Sequence, residues 1–136
     1  MKFLFLCDEN YMKGDVLNFV ENFPRNHELV TMSSGQLLTE KVIPEGVQGI
    51  LAERKTWQKS FSLFRYFGLL PLLETLPFAP VARTKRQVHF KGRSGCKEIF
   101  FHADSSAEEI FSTLDRFVSI PPALYKYPLS SVESED

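Results

Sequence analysis

The chain has 136 residues, which suits one domain that can bury a hydrophobic core of its own. Its formal net charge of −1 excludes a global attraction to nucleic acid or to anionic membranes, so any such affinity would have to be local. The two cysteines, Cys7 and Cys96, stand far apart in unlike contexts. This excludes a disulfide framework and a zinc-finger pattern, and it favours a reducing, cytoplasmic setting.

Short apolar runs alternate with helical patterns in the first part of the chain. Residues 2–7 have the composition of a strand buried on both faces. Apolar residues at helical spacing over 16–23 predict a first helix, ended by Pro24. Residues 28–32 predict a second strand, and the polar run 33–35 predicts a turn into a short helix.

The middle of the chain is harder to assign. Residues 47–52 predict a third strand, but Gly49 interrupts the run, so a helix over 44–54 is an alternative. Aromatic and apolar side chains over 57–69 predict a further helix, which frays before Pro71.

The last part of the chain completes the alternation. Residues 80–84 and 98–102 predict a fourth and a fifth strand, and the hydroxyls and acids of 105–109 predict the start of a final helix. Its inner stripe falls within 110–117, and residues 120–136 predict a flexible tail. The repeated strand–helix order predicts a parallel sheet with helices on both faces.

Neither apolar segment has the pattern of a targeting or membrane-spanning segment. The opening MKFLFLC is short and is followed at once by Asp8 and Glu9, so we do not expect a signal peptide. The apolar region 61–73 is shorter than a bilayer span and contains an arginine, a glycine and a proline. We therefore expect a soluble protein without a membrane partner.

Four segments occur in the order and at nearly the spacing of a known family. They are CDENYMKGDV, TMSSGQLL, LPFAPVART and GCKEIFFHADSSAEEIFSTLDRF. Together they resemble the receiver domain of response regulators over residues 2–119. The resemblance implies a flavodoxin-like fold with a five-stranded parallel sheet, in a receiver-like domain 1–119 followed by the tail 120–136.

The receiver resemblance also implies a phosphoryl-transfer site at the carboxyl ends of the strands. In that family an aspartate after the third strand accepts the phosphoryl group, and an acidic pair after the first strand helps to hold Mg²⁺. A lysine after the fifth strand neutralises the phosphate, and a hydroxyl on the fourth strand senses it. The metal and the cation offset the charge that develops on the phosphoryl oxygens. The corresponding positions in this chain are Cys7, Asp8, Glu9, Ala52, Glu53, Thr84 and His102.

Several of these positions depart from the family pattern. Asp8 keeps the position of a direct metal ligand, which leaves weak Mg²⁺ binding as the one cofactor expectation, but Cys7 replaces an acid of the pair. The acceptor position falls on Ala52 or Glu53, and neither is aspartate. His102 replaces the lysine, and an imidazole is only partly protonated at neutral pH. The resemblance thus implies a pseudo-receiver whose Glu53 is either a phosphate mimic or an ordinary surface acid.

A competing pattern makes Cys7 a nucleophile. Cys7 and Lys13 have the spacing of the phosphate-binding loop in low-molecular-weight phosphotyrosine phosphatases, which these residues faintly resemble. That loop needs arginine where Lys13 stands, and Asp8 and Glu9 inside it would repel phosphate and raise the pKa of the thiol. A degenerate phosphatase-like enzyme is therefore the alternative.

Two further segments predict interaction surfaces. A basic stretch over 83–97 predicts a docking patch for an acidic partner or, as a third hypothesis, for nucleic acid. Its cations are Arg83, Lys85, Arg86, Lys91, Arg93 and Lys97. The aromatic segment 57–67 carries more ring area than one helix face can bury, so part of it should lie on the surface. We expect a non-enzymatic signalling or scaffold module that binds a protein partner, which could include a second copy.

Overall fold

The computed structural model describes residues 1–82 and 101–119 of the chain. Its elements in chain order are β1 Lys2–Leu6, α1 Asp15–Asn22, β2 Glu28–Met32, α2 Ser34–Glu40, β3 Val47–Glu53, α3 Arg54–Tyr66, α4 Leu70–Leu73, β4 Phe78–Ala82, β5 Phe101–His102 and α5 Ala107–Ser119. A short 3-10 turn, Glu9–Tyr11, lies between β1 and α1. Within the described ranges, no helix has both the length and the apolar character needed to cross a membrane.

The five strands form one parallel sheet in the order β2-β1-β3-β4-β5. This is a flavodoxin-like arrangement, and it confirms the predicted five-stranded parallel sheet. β1 lies between β2 and β3, where Leu6 is aligned with Met32 on one side and with Ala52 on the other. The carboxyl ends of β1 and β3 are therefore neighbours at one edge of the sheet.

Helices cover both faces of the sheet, as the sequence predicted. Phe3 and Phe5 of β1 pack in one hydrophobic cluster, and Leu4 and Leu6 pack in a second cluster on the opposite face. The helices contribute Phe19 and Phe117 to the first cluster and Leu37, Trp57, Phe64 and Leu73 to the second. Because both faces of β1 are buried, its sequence is continuously apolar.

β3 is a strand, so the alternative of a helix over 44–54 is wrong. Gly49 weakened the strand pattern in the sequence, but it has a packing role in the fold. A Cβ atom at Gly49 would lie 2.7 Å from Cε2 of Phe117, which is closer than real Cβ contacts, and 3.1 Å from Cδ1 of Phe3, which is a tight contact. The glycine therefore makes room for the ring of Phe117 from α5.

The final helix begins as its sequence predicted. The side chain of Glu109 accepts a hydrogen bond from the amide of Ser106 at 3.1 Å, and the hydroxyl of Ser106 accepts one from the amide of Glu109 at 3.2 Å. This is a capping box just before α5. Ile110, Leu114 and Phe117 form the buried stripe of the helix, as expected.

Some predicted boundaries differ in the structure. β4 begins at Phe78 rather than Pro80, and Pro71 lies in the first turn of α4 rather than after the last helix of the region. Proline is tolerated there because the first amides of a helix have no partner within the helix. Thr84, Cys96, the basic segment 83–97, the start of the predicted fifth strand at 98–100 and the tail 120–136 lie outside the described residues.

Candidate functional site

The predicted site residues that the structure describes lie at the carboxyl edge of the sheet. Cys7 and Asp8 directly follow β1, Glu53 is the last residue of β3, and His102 is the last residue of β5. In an open parallel sheet this edge is where ligands usually bind, above all between the two strands at which the strand order reverses. Here those strands are β1 and β3.

The side chain of Asp8 links α2 to the end of β1 through hydrogen bonds. Its Oδ1 atom accepts a hydrogen bond from the amide of Ser34 at 2.8 Å and another from the hydroxyl of Ser34 at 2.7 Å. Ser34 is the first residue of α2, whose cap is the neighbouring Ser33. One of the two oxygens of this candidate metal ligand therefore already accepts hydrogen bonds from two donors of the protein itself.

Glu53 is the cap of α3 and is almost fully buried, with 1% of its surface exposed. Oε2 accepts a hydrogen bond from the amide of Lys55 at 2.9 Å, and Oε1 accepts one from the amide of Thr56 at 2.9 Å. Both oxygens of this carboxylate thus bind amides in the first turn of the helix. The expectation of an ordinary surface acid is wrong.

Thr56 connects the two acidic side chains. Its hydroxyl donates to Oε1 of Glu53 at 3.0 Å and accepts a hydrogen bond from the backbone amide of Asp8 at 2.9 Å. The space between the ends of β1 and β3 is therefore spanned by a chain of hydrogen bonds from Ser34 through Asp8 and Thr56 to Glu53. These bonds join α2, β1, β3 and α3 at a single point.

Cys7 is buried beside this network, and its environment disfavours a thiolate. Burial, followed by the negative charges of Glu53 and then Asp8, raises the pKa of the thiol from 9.0 to about 12, against an opposing hydrogen bond with Thr56. The Sγ atom donates to the carbonyl oxygen of Asp8 at 3.4 Å. A nucleophilic cysteine needs the opposite environment, in which a nearby cation or helix N-terminus lowers the pKa.

Ala52, Glu9 and His102 are the remaining predicted site residues that the structure describes. Ala52 is fully buried within β3, and Glu9 is exposed on the turn after β1. His102 is half-buried at the end of β5, and β4 lies between it and β3. Two strand spacings amount to about 10 Å, so an imidazole on β5 reaches less far toward Glu53 than the longer lysine of a receiver would.

A cavity of about 220 Å³ opens next to this network, at the carboxyl ends of β1 and β2. Its lining residues are Cys7, Glu9, Met12, Thr31, Met32, Ser33 and Gln36. The cavity lies beside the β1–β3 position rather than at it, since β3 and α3 contribute nothing to its lining. Among the residues described, no three histidine, cysteine, aspartate or glutamate side chains are grouped so that they could hold a metal ion.

The aromatic segment 57–67 is partly buried and partly exposed, as the sequence suggested. Trp57 and Phe64 are fully buried, and Phe61 is half-buried against the same cluster. Tyr66 and Phe67 are exposed at the end of α3. The prediction that part of this segment lies on the surface is confirmed.

Sequence reasoning missed Ser34 and Thr56, which bind the two acidic side chains. A weak signal for Thr56 exists, because Glu53 and Thr56 have the three-residue spacing of a capping interaction in reversed order. Ser34 carried no such signal, since it was assigned only to a turn. A scan against protein-family models, a search of curated proteins and a search of solved structures each found no match.

Proposed function

We propose that this chain is a non-enzymatic, receiver-like binding module that works in the cytoplasm through contacts with a protein partner, without phosphorylation. One observation carries the proposal: Glu53, which has the only carboxylate of the two candidates for the family's acceptor position, Ala52 and Glu53, is buried, and both of its oxygens are hydrogen-bonded as the cap of α3. In the receiver resemblance the acceptor carboxylate must instead present a free oxygen to phosphorus.

The geometry of Glu53 opposes attack on a phosphoryl donor. A carboxylate that attacks must approach phosphorus to about 3 Å with an oxygen lone pair directed at it. Releasing an oxygen of Glu53 would leave an amide of Lys55 or Thr56 without an acceptor near a buried position, which costs on the order of 1–3 kcal/mol. Asp8 would also give less support to a metal ion at this site, because its Oδ1 atom already accepts two hydrogen bonds from Ser34.

The environment of Cys7 argues against the phosphatase-like alternative. With a pKa of about 12, its thiolate is a very small fraction of the population at neutral pH. The nearest charges that act on it, those of Glu53 and Asp8, would also repel a phosphate dianion. A binding role therefore fits the polar groups at this edge better than either kind of phosphate chemistry.

The first test is exposure of the full chain to acetyl phosphate, and separately to beryllium fluoride, with Mg²⁺. We expect no mass gain of one phosphoryl group and no saturable amide shifts at Asp8, Ser34, Glu53 or His102 in nuclear magnetic resonance spectra. A hydroxylamine-sensitive mass gain that is lost in Glu53→Gln would identify an acyl phosphate on Glu53 and would contradict the proposal.

The second test addresses Cys7. We expect no turnover of p-nitrophenyl phosphate above a no-enzyme control, with the same background in Cys7→Ser. Turnover that is present in the natural chain and absent in Cys7→Ser would make the protein an enzyme and would refute a purely non-catalytic role.

A further inference from the structure

We propose that the exposed side of α3 and the adjoining end of α2 bind an acidic, amphipathic segment of a partner protein. We call this the α3 surface, and it consists of Lys59, Leu63, Tyr66 and Phe67 with Lys41 and Val42. The inference rests on the proposed binding function and adds where the partner binds and what chemistry it has.

The apolar part of the α3 surface is concentrated at one corner of the molecule. Within the described residues, seven large apolar side chains are exposed, and four of them lie here: Val42 (56%), Leu63 (47%), Tyr66 (82%) and Phe67 (51%). Large exposed apolar groups that cluster in this way are typical of interaction sites, whereas scattered ones need no explanation.

Three members of this surface, Lys41, Tyr66 and Phe67, are joined by ring contacts. The rings of Tyr66 and Phe67 meet edge to face with their centroids 5.0 Å apart. The ammonium group of Lys41 lies over the ring of Phe67, 5.9 Å from its centroid, and so joins the end of α2 to the end of α3. Leu63 is one helical turn from both aromatic residues. The contacts thus join the ends of α2 and α3, and Leu63 and Val42 lie next to them along the chain.

Positive charge runs along the same side of α3. Helix α3 contains no acidic residue, and three of its four basic residues, Lys55, Lys59 and Arg65, are at least partly exposed, whereas Arg54 is buried. Lys59 precedes Leu63 by one turn, and Leu63 precedes Tyr66 by three residues, so a cation and two apolar groups form one helical stripe. The ammonium group of Lys59 lies 5.5 Å from the ring centroid of Tyr11. A hydrogen bond with Tyr11 raises the pKa of Lys59, which keeps it charged.

Within the part of the chain that the structure describes, the helices on the other face of the sheet have the opposite charge. α1 carries Asp15 and Glu21 without a cation, and α5 carries Glu108, Glu109 and Asp115 against a single arginine. Although the net charge of the chain is −1, its described helices differ in charge. Helix α3 on one face of the sheet is basic, and helices α1 and α5 on the other face are acidic. Charge complementarity with α3 therefore favours a partner segment that carries carboxylates around its apolar anchor residues.

The same contacts disfavour nucleic acid and a symmetric dimer at this surface. Lys41 covers one face of Phe67, and Tyr66 meets that ring edge to face, so the rings are not arranged as open stacking platforms for bases. Leu63 and Val42 offer aliphatic contacts, which suit a peptide side chain. A twofold contact of the α3 surface with itself would place like charges opposite each other.

The test uses full-length protein and a fluorescein-labelled acidic probe peptide with leucine and phenylalanine at i, i+4 and i+7 and glutamate elsewhere. Two matched peptides replace either the glutamates by glutamine or the apolar anchors by serine. Binding is measured by fluorescence anisotropy at low and at raised salt, and the contacted amides are mapped by nuclear magnetic resonance. We expect the acidic amphipathic peptide to bind more tightly than either matched peptide, with shifts centred on α3.

Variants of exposed residues locate the contact. We expect Tyr66→Ser and Lys59→Glu each to weaken binding about tenfold, since truncated anchors and reversed charges at interfaces commonly have effects of that order. Leu17→Ser, an exposed apolar residue of α1, is the matched control and should stay within about twofold. Phe111→Ser on α5 tests the face that the receiver resemblance would favour.

Several results would overturn the inference. Two of them concern the acidic peptide: no saturable binding, or amide shifts centred on α5 together with loss of binding in Phe111→Ser. The other two are tighter binding to oligothymidylate or to phosphatidylserine vesicles than to the peptide, and self-association of the protein that Tyr66→Ser abolishes. None of these results produces a phosphoryl adduct or phosphatase turnover, so they leave the non-enzymatic proposal standing. Conversely, an adduct on Glu53 would refute that proposal whatever the peptide does.

Discussion

Replacing Glu53 by alanine tests the structural role of this carboxylate directly. The substitution removes the acceptor of the Lys55 and Thr56 amides and of the Thr56 hydroxyl at once. Loss of a helix cap costs about 0.5–2 kcal/mol, and loss of a hydrogen bond to a buried hydroxyl costs about 1 kcal/mol. We therefore expect the free energy of unfolding to fall by about 1.5–3 kcal/mol, which is a large part of the stability of an ordinary domain.

Urea denaturation followed by tryptophan fluorescence is a suitable measurement. Trp57 is the single tryptophan of the chain, is fully buried, and lies in the first turns of α3 that Glu53 caps. With a slope of roughly 1–3 kcal/mol per molar urea, the expected loss lowers the unfolding midpoint by about 0.5–3 M. Glu53→Gln keeps one carbonyl oxygen as an acceptor, so we expect its unfolding midpoint to lie between those of the natural chain and Glu53→Ala.

Glu9→Ala is the matched control for Glu53→Ala. Glu9 is an acidic residue at the same edge of the sheet, but it is exposed on the turn after β1, so its removal should change stability by less than about 0.5 kcal/mol. The reasoning would be refuted if Glu53→Ala were as stable as Glu9→Ala, because Glu53 would then not hold α3 through its carboxylate.

Four further predictions concern other parts of the fold. With Cys96 replaced by serine, Cys7 should resist iodoacetamide at neutral pH and react once the chain is unfolded, because its thiol has a pKa of about 12; rapid labelling of the folded chain would contradict this. The raised pKa also means that stability from Cys7 is complete below pH 9.0 and is lost as the pH rises toward 12, a decline that Cys7→Ser should lack. Burial, and then the charge of the N-terminus, lower the pKa of His27 below 6.5, so its contribution is complete above pH 6.5 and falls in more acid solution. Urea titrations of the natural chain and His27→Gln should diverge only on the acid side; parallel curves would disprove this. Gly49→Ala should cost about 1–3 kcal/mol through its clash with Phe117, and adding Phe117→Leu should recover part of that loss, whereas additive losses would exclude the clash.

The fold could be predicted from the sequence to a large extent because its main signals are local. A continuous apolar run marked β1, and helical spacing marked the inner stripe of α5, which the structure buries as expected. The third strand was predicted, but Gly49 left a helix open as an alternative because the role of this glycine depends on Phe117, a residue that lies far away in the sequence. A close approach between distant elements leaves no periodic trace at the position that allows it.

The chemistry of the candidate site was less predictable for the same reason. The hydrogen bond between Asp8 and Ser34 joins residues 26 apart, and the one between Asp8 and Thr56 joins residues 48 apart. The sequence could place acids at the carboxyl edge of the sheet, but it could not show which donors they would meet. Whether a carboxylate is a ligand, an acceptor of phosphate or a helix cap depends on those donors.

The position of these donors bears on where a function can lie. In a flavodoxin-like sheet the gap between the first and third strands is the usual place for a ligand. Here Ser34, Asp8, Thr56 and Glu53 fill that gap with hydrogen bonds between protein groups. Ligand binding there would first have to break contacts that fasten α2 and α3 to the sheet. The outer side of α3, with its exposed rings and the exposed cations Lys59 and Arg65, is the surface that we propose for recognition.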